Sequence, residues 1–237
     1  MKKALSLFIS LSIALCCFAQ TPKRITVNEA SIVKDSVGNQ YPYVIWQKLL
    51  AEGNYTVRAI NPAQDDTEFL LVKLTEQQKT LLVNRMPKPA ESKFFTTGQT
   101  LKPFSVKDIT GKKVDAKDWA GKTIVLNFWF IGCPPCRAEI PELNKLVAKY
   151  SNNPNVIFIG IALDDGYPIK DFTRASPFDY RLVAEGKYYA KLFNINLFPT
   201  NVVIDKHGKV LFHGSGLAPN TPYWIDKTIQ ESDQATL

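Results

Sequence analysis

Thr123-Ile124-Val125-Leu126-Asn127-Phe128-Trp129, then Phe130-Ile131-Gly132, then Cys133-Pro134-Pro135-Cys136-Arg137-Ala138-Glu139-Ile140-Pro141 is the stretch on which the reading of this chain turns. The first seven residues are an almost unbroken apolar run, the pattern of a strand buried on both faces. Residues 137–150 read as a helix. Two cysteines separated by two residues at a strand-to-helix junction form a redox motif. Cys133 falls at or just before the helix N-terminus, where unpaired backbone N–H groups and the positive end of the helix dipole favour a thiolate. Such positions draw a thiol from about 8.5 into the range of roughly 3.5–7.5. The expectation is that Cys133 is the nucleophile and that Cys136, one turn on and more shielded, is the resolving thiol that closes the Cys133–Cys136 bond. Pro134 and Pro135 add no N–H donors but stiffen the loop.

Other uses of the two cysteines fare worse. A zinc site needs a second Cys or His pair at metal spacing. The histidines are His207, in a turn, and His213, expected to be a half-exposed strand residue. A purely structural bridge gains little chain entropy from so short a loop. No metal and no other cofactor is expected.

The 237 residues carry a formal charge of +7 spread along the chain, without a block of basic residues, so no nucleic-acid partner is expected. Met1-Lys2-Lys3, the mostly apolar run 4–18 and Ala19 fit a secretory signal peptide cut after Ala19. The run is short for a membrane span, which takes about 20 residues. An uncleaved anchor, or a lipid on Cys16 or Cys17, fits less well, because Leu15 and Cys16 precede those cysteines where a small residue is usual. After cleavage at Ala19, Cys133 and Cys136 are the cysteines that remain. The expected location is the periplasm or cell envelope.

Residues 20–93 read as a small β-rich unit, without a catalytic constellation, whose role is structural or partner-binding. Its strands are expected on either side of Gly38-Asn39, at 55–60, at 69–74 and at 80–83; the segment 42–50 suits helix or strand. Met86-Pro87-Lys88-Pro89 and the residues to Lys93 read as a linker. From residue 94 onward the order of apolar strands and amphipathic helices is β-α-β-α-β-α-β-β-α, which implies an α/β domain with a mixed sheet flanked by helices.

Asn127-Phe128-Trp129 followed by Cys133-Pro134-Pro135-Cys136-Arg137-Ala138-Glu139-Ile140-Pro141 resembles the TlpA/ResA-like branch of the thioredoxin superfamily, over about residues 95–232. The resemblance implies a thioredoxin-like fold and an exported thiol–disulfide oxidoreductase acting on protein dithiols and disulfides. It also implies a membrane thiol reductase as electron donor, and often a role in cytochrome c maturation. It makes Pro199, after Phe198, a cis-proline beside the cysteines, and the segment 168–184 the insertion that marks this branch. Trp129, Gly132, Pro134, Pro135, Phe198 and Pro199 are then the expected walls of the active site.

Two departures stand out. The family usually has Trp before the first cysteine, where this chain has Gly132, which leaves a smaller rim. Plain thioredoxins bury an aspartate where this chain has Asn127, so the proton of Cys136 needs water or another group. Glu139, three residues beyond Cys136, reads as a solvated carboxylate answering the helix dipole. The contrasting reading is a redox-regulated binding or copper-handling module, although copper-handling relatives use a wider cysteine spacing and a dedicated histidine. A peroxidase would need Thr-x-x-Cys, and Phe130 stands at that position.

Overall fold

The computed structural model describes residues 26–64 and 68–234. The expected signal peptide, its cut after Ala19, and Cys16 and Cys17 lie outside the described residues. The chain forms two compact units, Met1–Lys79 and Thr80–Leu237.

The first unit has strands β1 (Val33–Lys34) and β2 (Gln40–Tyr41), helix α1 (Tyr43–Ala51), and strands β3 (Tyr55–Ala59) and β4 (Phe69–Lys73). They form a sheet in the order β2-β1-β4-β3. β1 and β2 are joined through Gly38, whose φ of +93° suits a residue without Cβ. The ambiguous segment 42–50 is resolved as helix, because Trp46 packs with Val33, Phe69 and Leu71 in this unit's small core. Residues 80–83, expected to be a strand, lie in helix α2 (Glu76–Arg85). The reason is a reciprocal cap at Thr75. The Gln78 backbone N–H donates to Thr75 Oγ1 at 3.2 Å, and the Thr75 N–H to Gln78 Oε1 at 2.9 Å. That capping box starts a helix which Leu81 and Leu82, good helix formers, continue.

The second unit begins its strands with a hairpin, β5 (Val106–Lys107) and β6 (Lys113–Val114). Then come β7 (Thr123–Trp129), α3 (Pro134–Lys149), β8 (Val156–Ala162), α4 (Gly166–Ala175), β9 (Arg181–Val183), α5 (Lys187–Leu192), β10 (Thr200–Ile204), β11 (Val210–Ser215) and α6 (Thr221–Gln234). The main sheet runs β11-β10-β7-β8-β9; β7, β8 and β9 are parallel, and β10 is antiparallel to both β7 and β11. All residues of β7, β8 and β10 are buried. One face packs against Ile140, Leu143 and Leu146 of α3, Ile169 of α4, and Ile225 and Ile229 of α6. The other packs against Phe95, Leu101, Val106, Val114 and Trp119, with Ala190 of α5. This is the thioredoxin-like arrangement, a mixed sheet between helices.

His213 is 1% exposed rather than half-exposed. The start of β11 is tied on its outer side: the N–H groups of Gly98 and Leu101 donate to the carbonyls of Val210 and Gly208, both at 2.8 Å, and the Val210 N–H donates to the Gln99 carbonyl at 2.9 Å. The proline-rich segment 86–93 is also held. Asn220 Nδ2 donates to the Pro87 carbonyl at 2.8 Å, and the Ser92 N–H donates to His213 Nδ1 at 3.1 Å. Because Nδ1 accepts, the neutral ring carries its proton on Nε2, which faces Thr97 Oγ1 at 3.3 Å and Glu91 Oε2 at 3.7 Å.

Burial pulls His213 below the ordinary imidazole value of 6.5; Lys88 adds to this, while Glu91 and the Ser92 bond oppose it. A depressed folded-state value means the unfolded chain takes the proton first as pH falls, so the contribution to stability is whole above about 6.5 and is withdrawn below it. Thermal unfolding followed from pH 7.5 to 5 is expected to show this loss, together with faster exchange of the Ser92 amide. His213→Asn is expected to flatten that slope.

Candidate active site

Buried β7 ends at Trp129, and residues 130–132 carry the chain out to α3. Two bonds shape this connection: the Ile131 N–H donates to Asp164 Oδ2 at 2.8 Å, and the Cys133 N–H donates to the Phe130 carbonyl at 3.1 Å. Cys133 is the N-cap of α3, with extended backbone, and its Sγ accepts from the Cys136 N–H at 3.2 Å. Pro134 and Pro135 occupy the first two helical positions, where a missing N–H removes no helical bond. Cys133 and Cys136 are joined in a disulfide and are 2% and 1% exposed. Both sulfurs are therefore shielded, not Cys136 alone.

The Phe198–Pro199 peptide bond is cis, at the head of β10, and the Gly216 N–H donates to the Pro199 carbonyl at 2.8 Å. Thr200 pairs with Phe128 across the sheet, so this proline lies at the end of the sheet from which the connection to Cys133 leaves. Phe198 meets Phe130 edge to face at 5.5 Å. That pair supplies an aromatic rim despite Gly132. A Cβ on Gly132 would meet only the Phe130 ring, at 3.7 Å, which is ordinary contact.

Trp129 is not an accessible wall. It is fully buried, edge-on to Phe178 at 5.3 Å and 5.7 Å from Phe172, and so forms part of the core beneath the disulfide. Inward-pointing residues of β7 share a face with α3, and the indole reaches over Gly160. A Cβ there would lie 3.4 Å from Trp129 Nε1 and 2.8 Å from Leu182 Cδ2, so only glycine leaves the room.

Glu139 departs most from expectation. It is 4% exposed, not solvated. Helical spacing turns it inward from α3 onto two asparagines that sit directly opposite one another, Asn127 on β7 and Asn201 on β10. Asn127 Nδ2 donates to Glu139 Oε1 at 2.7 Å and to Asn201 Oδ1 at 2.9 Å, while Asn201 Nδ2 donates to both carboxylate oxygens at 3.2 Å. Burial raises the Glu139 carboxyl from 4.5 to about 7, against the bonds from Asn201 and Asn127 that pull it down. A carboxyl near 7 can take or give a proton at neutral pH. Asn201 and Asp164 were not singled out from the sequence. The signal for Asn201 was an amide at the head of an apolar strand, two residues after Pro199. Among the described residues, no group of three or more His, Cys, Asp or Glu side chains is arranged to hold a metal ion.

Known proteins resemble this chain over much of its second unit. The model of the AhpC/TSA family matches residues 97–213. The thiol-disulfide oxidoreductase ResA of Bacillus anthracis is 31% identical over 123 residues, covering 52% of this chain and 71% of the relative. The chain belongs to the TlpA/ResA-like thiol–disulfide oxidoreductases of the thioredoxin superfamily. ResA of Bacillus thuringiensis subsp. konkukian is 33% identical over 115 residues, 48% of this chain and 66% of that relative's length. Among solved structures, a putative thiol:disulfide interchange protein DsbE from Chlorobium tepidum aligns with a TM-score of 0.52 at 26% identity, covering 58% of this chain and 98% of its own. A putative protein disulfide isomerase from Bacteroides thetaiotaomicron shares the fold, with a TM-score of 0.52 at 23% identity over 60% of this chain and 94% of its own.

A raised carboxylate value gives a definite sign. The unfolded chain loses the Glu139 proton first, so stability is whole below 4.5 and is withdrawn as pH rises towards about 7. Urea titrations between pH 4.5 and 7.5 are expected to show this decline, and Glu139→Gln to lack it. The same variant is expected to reduce disulfide-reduction rates at pH 7 by roughly 10²-fold, the lower end of what general acid–base groups contribute. Asn201→Ala is expected to move the pH–rate profile towards higher pH, since it removes bonds that favour the carboxylate.

Proposed function

We infer that the chain is exported and reduces protein disulfides through a Cys133–Cys136 dithiol/disulfide cycle, with Cys133 as nucleophile. The observation that carries this reading is Cys133 at the N-cap of α3, bonded to Cys136 and receiving its N–H. In the reduced enzyme the helix N-terminus favours the Cys133 thiolate. That thiolate attacks one sulfur of a partner disulfide; a mixed disulfide forms, and the partner's other sulfur leaves as a thiolate that takes a proton from solvent. The Cys136 thiol then gives its proton to the Glu139 carboxylate, one turn further along α3. The new thiolate attacks Cys133 Sγ and releases the partner's second sulfur, which is protonated in turn. The partner gains two electrons and two protons, and the Cys133–Cys136 bond is restored. A donor dithiol runs the exchange in reverse to recharge the enzyme, and a membrane thiol reductase fits that role.

Export rests on the N-terminal sequence pattern, and no helix among the described residues is long and apolar enough to cross a membrane. Service to cytochrome c maturation follows from the family resemblance. For the first unit the reading is partner binding, supported by apolar side chains left at its surface, such as Val37 (81% exposed) and Val44 (71%).

In an insulin-reduction assay, Cys133→Ser is expected to abolish turnover. Cys136→Ser is expected to accumulate a mixed disulfide with its substrate, visible on non-reducing gels. Full activity in the Cys133→Ser protein would overturn the mechanism.

A further inference from the structure

The site described so far is built on the side of the disulfide that faces β10. A second feature begins at the first turn of α3. A groove of about 640 Å³ runs between the N-terminal half of α3 and the inserted helix α4 with the loop after it. Its head is Pro134, next to Cys133, and its far end is Asn144. Ten residues of helix between them give a length of about 15 Å, enough for four or five residues of extended chain. Ile140, Pro141, Phe172 and Pro177 make the lining mainly apolar.

Its polar side chains are Arg137, Asn144 and Ser176. The charges flanking it are satisfied locally: Lys145 pairs with Glu142 at 2.6 Å and Arg174 with Asp171 at 3.3 Å. Arg137 is exposed, forms no ion pair with a described carboxylate, and holds its guanidinium 5.6 Å from the centre of the Phe172 ring. A guanidinium held over a ring face at this distance keeps its N–H groups available to an acceptor. One turn on, Pro141 lies inside the helix on the same groove wall. Having no N–H, it leaves the Arg137 carbonyl without its usual helical donor, a backbone acceptor beside an apolar lining.

An extended peptide has what this groove lacks: a backbone N–H for the carbonyl, an apolar side chain for Phe172 and Pro177, and a carboxylate for Arg137. We propose that the α3–α4 groove binds the redox partner through an extended segment bearing an acidic residue within about three positions of its reactive cysteine. The proposal rests on the oxidoreductase reading and adds to it the class of partner. It gives the insertion a function, since α4 and the loop behind it form the second wall.

The test uses capped hexapeptides with serine in place of the reactive cysteine, one flanked by glutamates and one by lysines, titrated into the oxidised protein and followed by amide shifts in NMR. The glutamate peptide is expected to shift the amides of Arg137, Phe172 and Ser176 and to bind about tenfold more tightly than the lysine peptide. Arg137→Glu is expected to reverse that order, and Ala138→Trp, which fills the groove without altering charge, to weaken both peptides. Shifts confined to the Pro199 side, or a preference that survives Arg137→Glu, would overturn the groove. Reduction of neutral bis(2-hydroxyethyl) disulfide by the wild-type protein is measured separately. Its failure would sink the oxidoreductase reading, whereas peptide binding reads the groove whatever that result.

Discussion

Seven consecutive buried residues in β7 leave that strand no water to bond with, so its backbone must pair on both sides and its side chains must be covered on both faces. From this constraint follow β8 and β10 as its neighbours and helices on either face. It also sets where α3 begins. A strand so completely enclosed can only release the chain at its end, and there the first turn of α3 meets a surface loop. Cys133 sits at that exit, at the positive end of the helix dipole, with the Cys136 N–H directed at its sulfur.

The same burial shapes the polar cluster between β7, β10 and α3. Two amides placed opposite one another on β7 and β10 would be unpaired in an apolar core; together with Glu139 they satisfy each other. The carboxyl is then held between opposing forces. Desolvation disfavours its charge, and the amide N–H groups favour it. The balance leaves the carboxyl near 7, able to take or give a proton at neutral pH. The carboxylate comes from the helix, and the strands supply the amides that hold it.

Much of this was legible in the residues. The apolar run at 123–129, the turn holding His207 and the order of strands and helices from residue 94 announced their elements, because period and turn chemistry are local properties. Misreadings came where a local signal was overruled. Leu81-Leu82-Val83 looks like strand until the Thr75–Gln78 cap is seen to start a helix. His213 looks half-exposed on an edge strand until the chain at 92–101 folds over it.

Sequence alone therefore determined the redox pair, its place between strand and helix, the order of elements and the proline at 199, since each depends on neighbours within a few positions. Tertiary structure decided what Glu139, Asn201 and Trp129 do. Asn201 is 74 residues from Asn127, and only antiparallel pairing of β10 with β7 sets the two amides side by side. Glu139 has the spacing of either a solvated or a buried residue, and which face of α3 meets the sheet is set by packing against the whole domain. A carboxyl's proton affinity depends on how much water its surroundings exclude, and that is a property of the assembled fold.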